Sequence, residues 1–231
     1  MDVQNISSSE IASVQASFIN KVYAWMCLAL TVTGFVALRV SASETMVNFL
    51  ASSPLIMFGI FGAELFLVIR LSRSLDSISV NSAIGMFLLY SALNGLFFSF
   101  IFLVYTAASI ASTFFITAGT FGVMSAYGYF TKKDLTSWGN LLFMAMIGLI
   151  IASVVNIFWH SEGLYWIVTY AGVLIFVGLT AYDTQKIKEM SLEMDISSEQ
   201  GQKGAILGAL RLYLDFINMF IFLLRIFGDR R

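Results

Sequence analysis

The chain has 231 residues, of which 58% are hydrophobic and 12% charged, whereas a soluble domain carries about 25% charged residues. With a mean hydropathy of +0.85 and 22 phenylalanines, it reads as an all-α integral membrane protein. A net charge of −1 leaves no basic surface for nucleic acid, and the single cysteine, Cys27, excludes a disulfide framework or a thiolate metal site and reads as a small buried hydrophobe.

Residues 1–20 form an acidic N-terminal segment without the basic start and small-residue cleavage site of a secretory signal. Ile11, Val14 and Phe18 fall at helical spacing, which predicts a short amphipathic helix on the membrane surface. Residues 21–231 read as a single transmembrane domain. A span needs about 20 largely apolar residues, and six stretches qualify: 22–38, 49–69, 84–104, 107–130, 141–159 and 164–182. Pro54 lies near the start of the second, where a missing amide is tolerated. The one long connection is 183–204.

The stretch 212–228, LYLDFINMFIFLLRIFG, is a seventh span, less apolar because it carries Asp215 and, three residues on, Asn218. A carboxylate at the middle of a bilayer costs about 2.5–3.5 kcal/mol on insertion scales. This helix is therefore expected to be enclosed by the others, with its aspartate facing protein or water.

Basic residues set the orientation. Lys21, Arg70, Arg73, Lys132, Lys133, Lys186, Lys188 and Lys203 fall at the N-terminus and after spans two, four and six, against Arg39 alone on the other side. The N-terminus is expected to be cytoplasmic. A re-entrant seventh helix would return Arg225, Arg230 and Arg231 to the inner face, while the length of 212–228 permits a full crossing.

In span four Ala118, Gly122 and Ala126 repeat every fourth residue, a smooth seam for close helix approach. Asn94, Asn156 and Asn218 sit in spans three, five and seven and need partners inside the bundle, because lipid offers none.

Three acids fall inside spans or at their edges: Glu64, Asp183 and Asp215. Spans six and seven are consecutive and antiparallel, so Asp183 and Asp215 reach similar depths and are placed to face each other. Two carboxylates held close in a low dielectric cannot both ionise cheaply, so the pair would share a proton and respond to pH. When both ionise, they would make a weak, transient site for a divalent cation, since calcium takes six to eight oxygen ligands. The plainer reading pairs Asp183 with Lys186 and Asp215 with Arg211 at i−4. Arg70 or Arg73 would either latch the pair or snorkel to the interface.

Enzymatic chemistry finds no support. His160, the only histidine, lies in a short loop with Glu162 nearby, which suits neither a Ser-His protease nor a histidine metal site. No lysine lies well inside a span, and no phosphate-binding glycine pattern is present.

Nearly the whole chain from about Lys21 resembles the Bax inhibitor family (transmembrane Bax inhibitor motif proteins), in the form of a bacterial member. The resemblance is carried by FFITAGTFGVMSAYGYFTKKDLTSWGNLLFMAMIGLIIASVVNIF, AYDTQKIK and LYLDFINMFIFLLRIFG. It implies a seven-helix fold with the C-terminal helix central between two layers of three helices, and a pH-sensitive calcium leak. It also implies that Asp183 and Asp215 form the hydrogen-bonded pair that controls the pore. Glu64 matches the family's acidic residue of helix two, and Arg70 or Arg73 its latching arginine. The resemblance implies no bound cofactor, with calcium as the permeant ion, in a bacterial inner membrane. The alternative function is a non-conducting regulator that binds another membrane protein, such as a protease or stress complex, through the span-four seam.

Overall fold

The computed structural model describes residues 8–73 and 77–231, with side chains from Ser13 onward. Among the described residues it forms eight helices: α1 Ser8–Ser41, α2 Glu44–Ala51, α3 Pro54–Arg73, α4 Val80–Val104, α5 Ala107–Phe130, α6 Thr136–Trp159, α7 Glu162–Glu193 and α8 Glu199–Phe227. All but α2 are long and apolar enough to cross a membrane, which makes seven spans. The chain divides into two compact units, Met1–Val104 with Lys188–Leu210, and Tyr105–Ile187 with Arg211–Arg231. The first contains the spans α1, α3 and α4, the second α5, α6 and α7, and α8 contributes to both. The C-terminal helix is the most enclosed span, with 72% of its apolar window buried against 44% for α7 and 0% for α6.

In the first unit, α1 packs on α4 and α4 on α3. Phe18, Val22, Met26, Ala29, Thr33 and Ala37 form the buried stripe of α1, spaced three or four residues apart as a single helix face requires. Thr33 donates from its hydroxyl to the carbonyls of Ala29 at 3.0 Å and Ser91 at 2.8 Å, the second bond joining α1 to α4. One turn beyond Ser91, Gly95 lies against Val36 and the Thr33 carbonyl, where any Cβ would collide. Without a hydrophobic drive between helices in lipid, such close packing and shared hydroxyl bonds hold them together.

The expected N-terminal segment 1–20 includes residues 1–7, which lie outside the described residues, as does the side chain of Ile11. From Ser8 the chain is already α1, which runs unbroken into the first span, and Phe18 is fully buried rather than laid on a surface. The expected span 49–69 is split: α2 ends at Ala51 and α3 starts at Pro54, the first helical position, where proline's missing N–H costs nothing. Cys27 is exposed, because it points away from the buried stripe of α1. The connection 183–204 is mostly helix. Asp183 lies inside α7, which continues to Glu193, and α8 begins at Glu199. Asp195 binds the Ser197 amide at 2.9 Å and hydroxyl at 2.7 Å, and Ser198 caps the Gly201 amide at 3.0 Å. These hydroxyl bonds let one helix stop and the next start within five residues. Lys203 is thus a buried residue one turn into α8, paired with Glu199 at 2.8 Å.

Candidate functional site

The site is built on the second unit, around residues 181–185 of α7. Ala181 and Tyr182 meet glycines: a Cβ on Gly128 of α5 would strike the Ala181 carbonyl, and one on Gly139 of α6 would strike the Tyr182 ring. Thr184 donates to the Ser125 hydroxyl of α5 at 3.3 Å and to the Thr180 carbonyl at 2.7 Å. The Gln185 amide spans the turn between α5 and α6. Its Oε1 accepts from the Leu135 amide at 2.9 Å and its Nε2 donates to the Lys133 carbonyl at 2.8 Å. On both sides of Asp183, therefore, α7 is fixed in rotation and in depth. The turn itself is capped by Asp134. The Thr136 hydroxyl and then its backbone amide, the latter 2.8 Å from Oδ1, hold the exposed Asp134 carboxyl below its ordinary value of 3.8.

Asp183 is half-buried and Asp215 of α8 is 4% exposed. Their side chains are hydrogen-bonded to each other. Ionised carboxylates only accept, so a hydrogen bond between two of them would need a proton on one. Counted as an acceptor alone, Asp215 Oδ2 is buried without any donor, and a shared proton removes that deficit. Both acids line a cavity of about 430 Å³ together with Arg211, Asn218, Tyr182 and Asn140. The Arg211 charge acts on both carboxyls, yet among the described residues no ion pair within 4.0 Å joins it to either. The i−4 pairing of Arg211 with Asp215 is therefore absent, and Asp215 instead meets Asp183. The Lys186 ammonium lies over the Tyr182 ring, 5.8 Å from its centre.

The expected residues of α3 belong to the first unit. Glu64, on α3 in the first unit, is 8% exposed, has no partner for Oε1, and interacts electrostatically with Tyr90 of α4. Half-buried Arg70 donates from Nη1 to the Ser77 hydroxyl at 3.3 Å, and Arg73 is exposed. Within the second unit, Arg211 is the cation that lines the cavity with the pair.

The small-residue seam is out of phase with the packing. Gly122 and Ala126 are exposed, Ala118 is half-buried, and a Cβ on Gly122 would meet nothing within 4 Å. The buried face of α5 is Ser109, Thr113, Thr117, Phe121, Ser125 and Gly128. The asparagines are satisfied locally: Asn94 donates to the Tyr90 carbonyl at 3.2 Å and Asn218 to the Leu214 carbonyl at 2.8 Å. Asn156 accepts from the Ser161 amide at 2.9 Å, closing the left-handed turn at His160, whose φ is 50°. Interhelical bonding falls instead to Thr33, Thr184 and Gln185. Sequence reading passed over Thr184 and Gln185, although they follow Asp183 directly and are polar residues on an otherwise apolar helix.

These features define a seven-span helical membrane protein with two acids of its last two helices lining one cavity. The chain belongs to the Bax inhibitor family: the family model described as Inhibitor of apoptosis-promoting Bax1 matches residues 15–231. Among its relatives is the Inner membrane protein YbhL of Escherichia coli, 52% identical over 216 residues, which covers 93% of this chain and 92% of the relative. An uncharacterized protein of Borreliella burgdorferi is 43% identical over 218 residues, 94% of each chain. An uncharacterized membrane protein of Streptococcus pyogenes is 36% identical over 213 residues, 91% of this chain and 92% of the relative.

Proposed function

We propose that the protein is a proton-gated cation leak with calcium as its permeant ion, and that Asp183 and Asp215 are the gate. The observation that carries this reading is the hydrogen bond between two acids beside a cavity that also holds Arg211 and Asn218. While the pair holds one proton it ties α7 to α8. Loss of that proton leaves two like charges, which at 4 Å and an effective dielectric of about 20 repel by about 4 kcal/mol. That exceeds the roughly 1 kcal/mol of the hydrogen bond it replaces and pushes the two side chains apart within the packed α7–α8 contact. Two carboxylates supply few of the six to eight oxygens that calcium takes. Among the described residues no group of three or more histidines, cysteines or acids gathers to complete a shell. Such a site favours passage over storage. The name of the Escherichia coli relative supports a bacterial inner membrane, and the distribution of basic residues supports a cytoplasmic N-terminus. The test is calcium entry into liposomes carrying a trapped indicator. Wild type conducts with a pH-dependent rate, and Asp183→Asn with Asp215→Asn removes that dependence. An unaltered rate and pH response in the double variant refutes the gate.

The outward face of α5 favours a second reading, that of a regulator binding another membrane protein. Gly122 and Ala126 are exposed with nothing packed on Gly122, leaving a smooth surface that a partner helix could approach closely. On this reading Gly122→Leu abolishes co-purification of that partner, while liposomes of the wild type stay impermeable to calcium.

A further inference from the structure

We infer that the permeant ion crosses the second unit along the buried hydroxyl face of α5, sealed at rest where Phe121 meets Phe216. This rests on the leak reading and adds a route to it. Ser109, Thr113, Thr117 and Ser125 recur at every fourth residue, with Phe121 in the remaining place, and none is more than 5% exposed. At about 1.5 Å per residue, the run from Ser109 to Ser125 covers roughly 24 Å, most of a hydrocarbon core about 30 Å thick.

Both ends of the run meet acidic or polar groups. At one end, Ser109 donates to Asp229 Oδ2 at 3.3 Å and accepts from the Asp229 amide at 3.0 Å. At the other, Ser125 accepts from Thr184, the residue after Asp183. Within the run, Thr117 bonds the Thr113 carbonyl at 2.8 Å, but the Thr113 hydroxyl is fully buried with no partner. A buried hydroxyl left unmatched costs about 1–3 kcal/mol. A water or a cation beside it supplies the missing interaction, and neutral oxygens one turn apart let a partly dehydrated cation step between them.

The seal is aromatic. The Phe121 ring lies 5.5 Å from that of Phe216, and Phe114, two turns away on α5, lies 5.4 Å from the same ring. Phe216 directly follows Asp215, so a shift of α8 that separates the acid pair also withdraws the ring that blocks the track. Hydrophobic constrictions of this kind gate by excluding water.

The test uses the full chain in liposomes, with Cys27→Ser as background. Single cysteines replace Thr113, Thr117 or Ser125 on the track, and Phe115 or Val123 on the exposed face, which are 73% and 68% exposed. A charged, membrane-impermeant methanethiosulfonate is expected to modify the track cysteines and block calcium flux, and to spare the other two. Phe121→Ala is expected to raise the flux about tenfold by opening the constriction, and Phe121→Leu less. A conducting wild type whose track cysteines stay unmodified, or are modified without change in flux, overturns the route alone. A wild type that passes no calcium overturns the leak reading and the route with it.

Discussion

Replacing Gly128 with alanine puts a methyl group against the carbonyl oxygen of Ala181. The obstacle is backbone rather than the end of a flexible side chain, so α5 and α7 must separate to admit it. Forcing an extra carbon into a tight core costs about 1–3 kcal/mol, and the fixed carbonyl places this case in the upper half of that range. The matched control is Gly122→Ala, six positions earlier on the same helix, where the new methyl group meets nothing within 4 Å. There the substitution only removes glycine's backbone freedom, which favours the helix by about 0.5–1 kcal/mol. Equilibrium unfolding of both variants in mixed micelles gives the comparison, since each 1.4 kcal/mol is about a tenfold change in the folded-to-unfolded ratio. Equal stabilities, or Gly122→Ala as the weaker variant, would refute the assignment of the buried face of α5 and the positioning of α7 built on it.

Two further outcomes follow from the turn between α5 and α6. Gln185→Leu removes the acceptor of the Leu135 amide and the donor to the Lys133 carbonyl. Leaving that buried amide unmatched should cost about 1–3 kcal/mol, and hydrogen exchange at Leu135 should rise with it. Asp134 has its carboxyl held below 3.8 by Thr136, so its cap is fully present above that value and is lost only as pH falls through the lowered one. Exchange at the Thr136 amide should stay slow at the ordinary carboxylate midpoint and quicken in stronger acid, whereas Asp134→Ala should exchange fast throughout.

The acid pair was legible in the sequence because an aspartate in an apolar helix is costly wherever it lacks a partner, and two such residues on consecutive antiparallel helices have few ways to be satisfied except by each other. The enclosure of α8 followed from the same cost. What could not be read was phase. Small residues and hydroxyl residues both permit close helix approach, and on α5 they alternate at offsets of one residue, so Ala118, Gly122 and Ala126 look as suitable as Thr113, Thr117 and Ser125. Only the contacts of α7, through Thr184 and Ala181, decide between them. The extension of α7 to Glu193 was hidden for a different reason. Residues past Asp183 are polar enough to leave the membrane, and in sequence such polarity reads as a loop. An α-helix about 48 Å long, at 1.5 Å for each of its 32 residues, nevertheless projects readily beyond a bilayer. The asparagines misled because a side-chain amide can return to its own helix backbone one turn away, as Asn94 and Asn218 do.

In the proposed gate, one proton holds Asp183 to Asp215 and its loss releases α8. Structures determined in lipid at acid and at alkaline pH measure this directly through the separation of the two carboxyl groups. Hydrogen-bond contact is expected in acid, and in alkali a wider gap with Phe216 displaced from Phe121. The same short separation at both pH values would contradict it.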